Sequence, residues 1–248
     1  MTELSLSGLV SLVTGGSSGI GYATARMLQR CGSKVAVLDL TLDGAPEDSL
    51  AVACDVGNST SVDEAIAKVV SNLGGLDIVI NNAGVGAVGN VEENDDLEWA
   101  RVLNVNVTGM ARVVRAALPH LRQSRHPAIV NVCSAVAFVG VRDRALYSAS
   151  KGAVMALTRA MAADHAAESI RVNAVAPGTA DTPWIERLLS RAPDSEVAGR
   201  ELIARQPLGR LVSPDEIAWS IVSLAAPVAA STTGAILRVD GGMSAIRV

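Results

Sequence analysis

Short apolar segments alternate with longer amphipathic segments along the whole chain. The short segments have the length and the β-branched content of buried strands, and they are Leu9–Thr14, Lys34–Leu38, Leu50–Cys54, Asp77–Ile80, Ala128–Cys133, Ile170–Val175 and Ala235–Val239. The longer segments have helical periodicity and run over Tyr22–Arg30, from Ser59 or Thr60 to Leu73, and over Leu97–Leu121, Tyr147–Ala167 and Pro214–Ala225. The polar stretch Thr41–Ser49 is short for a helical crossover, and Pro183–Arg205 is typical of an irregular helical insertion.

This alternation predicts one α/β domain over residues 1–248. Strand–helix–strand units favour parallel strands joined by right-handed crossovers. We therefore expect a single doubly wound parallel sheet of the Rossmann type, with helices on both faces. No linker, repeat or low-complexity segment divides the chain.

Unusual polar motifs follow the carboxyl ends of the predicted strands. They are the glycine turn Gly15–Gly21, then Asp39, Asp55, Asn82, Ser134 and Pro177-Gly178. Ligands of such sheets bind at the carboxyl ends of the strands. The convergence of these motifs on one edge predicts one active site.

The glycine turn and Asp39 indicate a nucleotide. Gly15 and Gly19 allow a tight turn and a close approach of a diphosphate, while the next helix offers free N–H groups and a positive dipole end. Asp39 lies 18 residues beyond Gly21, near the place where a carboxylate grips the ribose 2′-hydroxyl of an adenosine. That carboxylate would repel the 2′-phosphate of NADP, and no Lys or Arg occupies the turn or positions 40–42. We therefore predict NAD as the cofactor.

A tyrosine and a lysine stand four residues apart in Tyr147-Ser148-Ala149-Ser150-Lys151. On a helix this spacing places both side chains on one face. A neighbouring cation favours the phenolate form of a phenol, so the pair is suited to proton transfer. The spacing is common on helices, and its meaning depends on what the fold brings near it.

Composition excludes several classes of function. Charged residues make up 19% of the 248 and the net charge is −4, with no basic run, so we expect no nucleic-acid partner. No apolar run reaches about 18 residues and Met1–Ser5 has no basic region before an apolar one, so we expect a cytoplasmic protein without membrane contact. Three dispersed cysteines and three histidines without ligand spacing predict reduced thiols and no metal site.

Taken together, these motifs resemble those of the short-chain dehydrogenase/reductase family. The matching motifs occur in the family's order over nearly the whole chain: Thr14-Gly15-x-x-x-Gly19-Ile20-Gly21, Asn81-Asn82-Ala83-Gly84, Asn106, Ser134, Tyr147-x-x-x-Lys151 and Pro177-Gly178. The resemblance implies an enzyme that interconverts a secondary alcohol and a ketone, and a homo-oligomer, commonly a tetramer.

The resemblance also implies a role for each motif residue. Tyr147 would be the acid/base, Ser134 would bind the substrate oxygen, and Lys151 would hold the nicotinamide ribose. Asn106, preferred over Asn104, would hold a water that links Lys151 to solvent. Asp55 and Val56 would flank the adenine, Asn82 its ribose, and Thr182 the nicotinamide end. The further cofactor contacts implied are Gly15, Ser17, Ser18, Gly19, Ile20, Gly21, Asp39, Ala83, Gly84, Tyr147, Lys151, Pro177 and Gly178.

The substrate is less defined by the sequence. Residues 177–183 and 205–210 are similar to those of cytosolic-type 3-hydroxybutyrate dehydrogenases and of dehydrogenases for sugar acids such as 2-keto-3-deoxy-L-fuconate, and the insertion at about 180–210 would fold over the substrate. Arg144, Arg187 and Arg205 could bind a carboxylate, or could form surface ion pairs. Trp184 and Leu146 could instead line an apolar wall. A neutral sugar, an apolar secondary alcohol, and a non-catalytic nucleotide-binding regulator remain as alternatives.

Overall fold

The structure, a computed structural model, describes residues 4–190 and 192–247. Residues 1–3 lie outside this range. They belong to the N-terminal segment from which the cellular location was predicted above. Arg191, within the predicted insertion, also lies outside the range. The described chain forms one sheet of seven parallel strands in the order β3-β2-β1-β4-β5-β6-β7. The strands are β1 Val10–Thr14, β2 Lys34–Asp39, β3 Leu50–Ala53, β4 Ile78–Asn81, β5 Ala128–Val132, β6 Arg171–Pro177 and β7 Ile236–Val239.

Helices cover both faces of this sheet. They are α1 Gly19–Arg30, α2 Ser59–Leu73, α3 Asp96–Leu103, α4 Gly109–Leu121, α5 Ala145–His165, α6 Pro183–Leu189, α7 Ser195–Ala204 and α8 Pro214–Ala225. Leu12 on β1 packs towards α2, α4 and α5, while its neighbour Val13 packs towards α1 and α8. The central strands β1, β4 and β5 are buried at every position, as expected of a parallel sheet that is covered on both faces and as their largely apolar sequences indicated. The predicted doubly wound parallel sheet is confirmed.

Several predicted boundaries were wrong. Helix α1 begins at Gly19, three residues before Tyr22, because the glycine turn itself forms the first helical turn after Ser18. Helix α2 is capped by the side chain of Asn58, which accepts from the Ser61 N–H, and not by Ser59 or Thr60. Helix α5 begins at Ala145, and strand β6 continues through Pro177. No helix separates β2 from β3, as expected.

The predicted helix 97–121 is divided by a wider turn. Residues Asn104–Thr108 form a π-helical turn between α3 and α4, in which the Gly109 N–H donates to the carbonyl oxygen of Asn104. Such turns often mark functional positions in a helix. The predicted irregular insertion is two ordered helices, α6 and α7. Both corrections concern segments that cover the carboxyl edge of the sheet.

Candidate active site

A cleft of about 420 Å³ at the carboxyl edge of the sheet brings together most of the predicted site residues. Those that line it are Gly15, Ser18, Gly19, Ile20, Asp39, Asp55, Val56, Asn82, Ala83, Gly84, Ser134, Arg144, Tyr147, Lys151, Pro177, Gly178, Thr182, Trp184, Arg187 and Arg205. Ser17, Gly21 and Asn106 are not among the lining residues. These three residues instead contact residues that line the cleft and hold them in place.

The glycine turn fits the diphosphate of a dinucleotide. Gly15 and Gly19 have φ values of 65° and 52°, which L-residues with side chains rarely adopt. A Cβ at Gly15 would lie 3.0 Å from the Cα of Ala83, and one at Gly21 would lie 2.0 Å from the carbonyl oxygen of Gly15. Ser18 is extended at the N-cap of α1 and makes no side-chain cap. The helix amides therefore remain available to an anion in the cleft.

Asp39 lies where β2 ends, beside the glycine turn. Its Oδ2 accepts from the Ser17 N–H at 3.0 Å, and its Oδ1 accepts from the Leu40 N–H at 2.8 Å. The Ser17 hydroxyl, expected at the phosphates, is buried with no hydrogen-bond partner among the described residues. Ser17 therefore contributes its main chain, which orients the Asp39 carboxylate.

Asn82 ties the turn to β4. Its Nδ2 donates to the carbonyl oxygens of Thr14 and Gly15, at 3.0 and 2.9 Å. The N–H groups of Asn82 and Ala83 both donate to the Thr14 hydroxyl at 3.0 Å. The Asn82 amide group, expected at the adenosine ribose, is thus committed to holding the glycine turn.

Tyr147 and Lys151 meet on the first turns of α5, as their spacing predicted. The Lys151 ammonium lies 5.7 Å from the centroid of the Tyr147 ring. Only 4% of Lys151 is exposed, so its charge acts in a poorly solvated environment, where electrostatic effects are strong. Ser134 lies just after β5, and its hydroxyl accepts from the Val136 N–H at 3.4 Å. A phenol, an ammonium group and a hydroxyl thus line the same cleft.

Cys133 is a structural residue. Its thiol is buried and donates to the carbonyl oxygen of Lys151 at 3.2 Å. Burial raises the pKa of this thiol, which disfavours the nucleophilic thiolate.

Asn106 occupies the π-helical turn and is fully buried. Its Oδ1 accepts from the Val85 N–H at 2.7 Å, and its Nδ2 donates to the Val85 carbonyl and to the Ser150 hydroxyl at 2.9 and 3.1 Å. Asn104 instead contacts Gly57 and Arg112. The Asn106 side chain is therefore fully used by protein groups, and it joins the loop after β4 to the catalytic face of α5.

Three arginines line the end of the cleft opposite the nucleotide turn. Arg144 Nη1 donates to the carbonyl oxygen of Ala87 at 3.0 Å. Burial, and secondarily the repulsion by Arg205, lower the pKa of the Arg144 guanidinium. Asp39 and Asp55 are the carboxylates among the described lining residues, and both belong to the nucleotide end. The positive charge near Arg144 and Arg205 is consequently uncompensated within the described cleft.

Trp184 lines the cleft from α6, but Leu146 does not. The indole lies so close to Gly86 that a Cβ there would be 2.6 Å from the Trp184 Cζ2. Leu146 is 0% exposed and packs with Ala87 and Val102. The prediction that Leu146 lines an apolar wall was wrong, because successive residues of a helix point about 100° apart and α5 already includes position 146.

Sequence reasoning missed several contributors. Gly86, Val141, Leu188, Leu202 and Met243 also line the cleft. They come from loops and from the insertion, where no pattern assigns an orientation. Asn131 could have been found, since a polar residue in the middle of an apolar strand is unusual.

Asn131 connects three elements behind the site. It accepts from Asn81 Nδ2 and donates to the Thr158 hydroxyl, both at 2.9 Å. Thr158 lies on α5, and Asn81 precedes Asn82 at the end of β4. This buried chain of hydrogen bonds fixes the catalytic helix to the sheet.

The described residues contain neither a metal-binding cluster nor a membrane-spanning helix. Among residues 4–190 and 192–247, no group of three or more His, Cys, Asp and Glu side chains could hold a metal ion. None of the helices in the same ranges combines the length and apolar character needed to cross a membrane.

Comparison with known proteins identifies many relatives. A family profile described as enoyl-(acyl carrier protein) reductase matches residues 15–244. The chain is 39% identical over 249 residues to 2-(S)-hydroxypropyl-CoM dehydrogenase 3 of Xanthobacter autotrophicus, covering 96% of this chain and 97% of that one. It is 40% identical over 247 residues to cis-4-hydroxycyclohexanecarboxylate dehydrogenase of Sinomonas cyclohexanicum, with 96% and 97% covered.

A solved structure gives the same assignment. The ligand-free aldohexose dehydrogenase of Thermoplasma acidophilum superposes with a TM-score of 0.91 at 34% identity, covering 98% of each chain. The profile match, the relatives and the shared fold lead to one conclusion. The chain belongs to the short-chain dehydrogenase/reductase family of oxidoreductases.

Proposed function

We propose that this protein is an NAD-dependent dehydrogenase that interconverts a hydroxy acid and the corresponding keto acid. The observation that carries the proposal is the cleft itself, in which Tyr147, Lys151 and Ser134 share one space with the glycine turn and with three arginines that form no ion pair with the described residues. The relatives named above include a dehydrogenase of a hydroxycarboxylate, which supports the same reaction class.

NAD is the nucleotide that the acidic end of the cleft favours. Asp39 presents a carboxylate oriented by two main-chain N–H groups, which suits the two hydroxyls of an unmodified ribose. The 2′-phosphate of NADP would meet this charge, and the arginines that line the cleft belong to its other end. A bound nicotinamide ring would supply the hydride acceptor, while the protein binds, orients and moves the proton.

We assign the proton transfer to Tyr147. During oxidation, the phenolate oxygen of Tyr147 takes the proton of the substrate hydroxyl; during reduction, the phenol returns it. The buried Lys151 ammonium lies beside this ring, 5.7 Å from its centroid. The Ser134 hydroxyl would hydrogen-bond the same substrate oxygen and stabilise the negative charge that develops there. Asn106 keeps Ser150 and the Val85 loop in place around this pair.

The arginines are the groups that we assign to the carboxylate of the substrate. The guanidinium groups of Arg205 and Arg187 have no hydrogen bond or ion pair to the described residues. Arg144 already binds the Ala87 carbonyl through Nη1 and repels Arg205. A carboxylate between such guanidiniums would relieve the repulsion and gain charge-assisted hydrogen bonds. It would also fix which carbon faces the hydride acceptor.

Neutral alcohols remain the second candidate class. The structural similarity to an aldohexose dehydrogenase favours a neutral sugar, and Trp184 would suit an apolar alcohol. Neither class explains three arginines at the substrate end. A non-catalytic regulator is disfavoured because Asn106, Ser134, Tyr147 and Lys151 are all present.

Oxidation of matched substrates tests the proposal. NADH formation is measured for a hydroxy acid, its methyl ester and the corresponding neutral alcohol. We expect the acid to be preferred, and we expect Arg205→Ala to raise KM for the acid by about 10- to 150-fold, the value of a charge-assisted bidentate contact. Arg144→Ala should also raise KM for the acid, but it additionally removes the hydrogen bond from Arg144 to the Ala87 carbonyl.

Arg200→Ala is the matched control for this experiment. Arg200 lies on the same helix as Leu202, is exposed, pairs with Glu196 at 3.7 Å and does not line the cleft. Its removal should leave KM unchanged. If acid and ester are oxidised equally well, the carboxylate assignment fails and a neutral substrate takes its place.

A further inference from the structure

The substrate end of the cleft, with the reacting pair and the arginines, has apolar walls. Its lining includes Val136, Val141, Leu188, Leu202 and Met243. These side chains come from four separate segments of the chain, so the apolar character does not depend on one element.

Trp184 adds a flat apolar surface to these walls. Its indole rests on the backbone at Gly86, where even a methyl group would lie 2.6 Å from the ring. The residue is 41% exposed, which leaves apolar area for a ligand to cover. The contact requires glycine at position 86, because a side chain there would displace the indole.

Hydrogen-bonding side chains are scarce at this end. Apart from Ser134, Tyr147 and the arginines, the described lining residues offer the hydroxyls of Thr179 and Thr182. The Thr182 Cγ2 lies 3.3 Å from the position that a Cβ of Gly19 would take, so Thr182 belongs to the nucleotide turn. Asp39, Asp55 and Asn82 are also at the nucleotide end. No Gln, Glu or His lines the described cleft.

We infer that the substrate carries its hydroxyl and its carboxylate joined by an apolar spacer, and that polyhydroxylated sugar acids are poor ligands. This inference rests on the proposed hydroxy-acid function and narrows it. A carbinol next to Ser134 and Tyr147 and a carboxylate at the arginines would satisfy every polar group of such a molecule, while its carbon atoms would cover Trp184 and Leu202.

A sugar acid would lose affinity in the same position. Each extra hydroxyl would give up hydrogen bonds to water and would face apolar walls without a replacement, which costs about 10-fold or more in affinity for each group. The two substrate classes that the sequence left open, simple hydroxy acids and sugar acids, are therefore separated by the chemistry of the walls.

Direct binding tests the inference without catalysis. Isothermal titration of the NAD-saturated protein is carried out with cyclohexanecarboxylate, gluconate and cyclohexanecarboxamide, none of which needs to react. We expect cyclohexanecarboxylate to bind at least 100-fold more tightly than gluconate and at least 10-fold more tightly than the carboxamide. Arg205→Ala should remove the preference over the carboxamide.

The pair Trp184→Gln and Trp219→Gln supplies the matched variants. Trp219 is 57% exposed on α8 and does not line the cleft. Trp184→Gln should weaken cyclohexanecarboxylate binding by about 10-fold and leave gluconate binding unchanged or improved. Trp219→Gln should change neither affinity.

The outcomes separate this inference from the proposed function. If gluconate binds as tightly as cyclohexanecarboxylate and both depend on Arg205, the apolar spacer is wrong and the hydroxy-acid function stands. If the carboxamide equals the carboxylate and Arg205→Ala has no effect, the carboxylate function itself is wrong. If none of the three ligands binds, the inference is overturned, whereas the oxidation of hydroxy acids still tests the function independently.

Discussion

The Lys151 ammonium donates a hydrogen bond of 2.9 Å to the main-chain carbonyl oxygen of Val132. In return, the Lys151 carbonyl accepts from the thiol of Cys133 on the segment that follows β5. These two contacts fix the register of α5 against the end of β5. They therefore set where Tyr147 and Ser134, on the two elements, stand relative to each other.

Replacing the proposed acid/base tests the chemistry. Tyr147→Phe keeps the aromatic ring next to Lys151 but removes the phenolic oxygen. We expect turnover to fall by about 10²- to 10⁴-fold, the usual contribution of general acid–base catalysis, while NADH binding measured by fluorescence is retained. A variant with more than about a tenth of the wild-type rate would be inconsistent with this role, given the lower end of that range.

The two asparagines of the π-helical turn should behave differently. Asn106→Ala leaves the Val85 N–H and carbonyl without their partner and removes the donor to the Ser150 hydroxyl, which still donates to the Tyr147 carbonyl. We expect the free energy of unfolding to fall by about 1–3 kcal/mol and kcat to fall, with little change in the KM for NAD. Denaturant unfolding and steady-state kinetics measure the two effects.

Asn104→Ala is the control for that variant. Asn104 contacts Gly57, which follows Asp55 and Val56 in the nucleotide end of the cleft, and also Arg112. Its loss should act on the KM for NAD and spare kcat. Equal losses of kcat in both variants would mean that Asn106 has only a general structural role.

Asp39 should control the choice of nucleotide. Wild-type protein should have a strong preference for NAD over NADP in kcat/KM. Asp39→Ala should lower the ratio of kcat/KM for NAD to that for NADP, because it removes both the repulsion of a 2′-phosphate and the hydrogen bond to the ribose. Asp43→Ala, an exposed change in the same loop, should leave the preference as it is. Equal use of both nucleotides by the wild type would contradict our interpretation of Asp39.

The sequence was sufficient to predict the sheet, because the strands are largely apolar and the polar motifs follow the carboxyl ends of the strands. It also identified Gly15 and Gly19 as lining residues of the cleft, because they depend on backbone geometry that few residues adopt. The orientation of Leu146, in contrast, was predicted incorrectly. Whether that residue faced the cleft depended on a helix start two residues before Tyr147, and helix ends carry weak local signals.

The supporting contacts were harder to predict than the motifs. The π-helical turn at Asn104–Thr108 preserves the apolar periodicity well enough to resemble one continuous helix. The role of the Asn106 side chain depends on Val85, 21 residues away, and on Ser150, 44 residues away. Pairings at such separations follow from the packed fold and have no signal within a short window of sequence.

Glu216 gives a prediction about pH and stability. It forms a capping box with Ser213 at the start of α8 and an ion pair with Arg210 at 2.7 Å. The Arg210 hydrogen bond, followed by the Ser213 N–H, lowers the pKa of Glu216 from 4.5 to about 2. A carboxyl group whose pKa is lower in the folded state stabilises the fold above its unfolded pKa, and this contribution is lost as the pH falls through the folded value.

Glu216→Gln can still complete the capping box but loses the exposed ion pair with Arg210, so it should destabilise the protein near neutral pH by about 0.2–1 kcal/mol. The difference from wild type should shrink as the pH falls from about 4.5 towards 2. Urea unfolding at several pH values measures it. Asp43→Asn, away from any helix start, serves as the control, and a difference that is independent of pH would contradict the assignment.

We propose that the protein forms a homo-oligomer through the outer face of α5. Ala149, Ala156, Ala160 and Ala163 on this helix are exposed, and a Cβ at Gly152 would meet no atom within 4 Å. A row of small residues lets two helices approach closely, and an exposed apolar face of this kind is unfavourable in water unless it is covered. We expect light scattering at micromolar concentration to give a mass above that of one 25.5 kDa chain, in agreement with the tetramer that we predicted. Ala156→Arg should dissociate it, whereas Ala67→Arg, on the exposed side of α2, should not. A monomeric wild-type protein would refute the proposal.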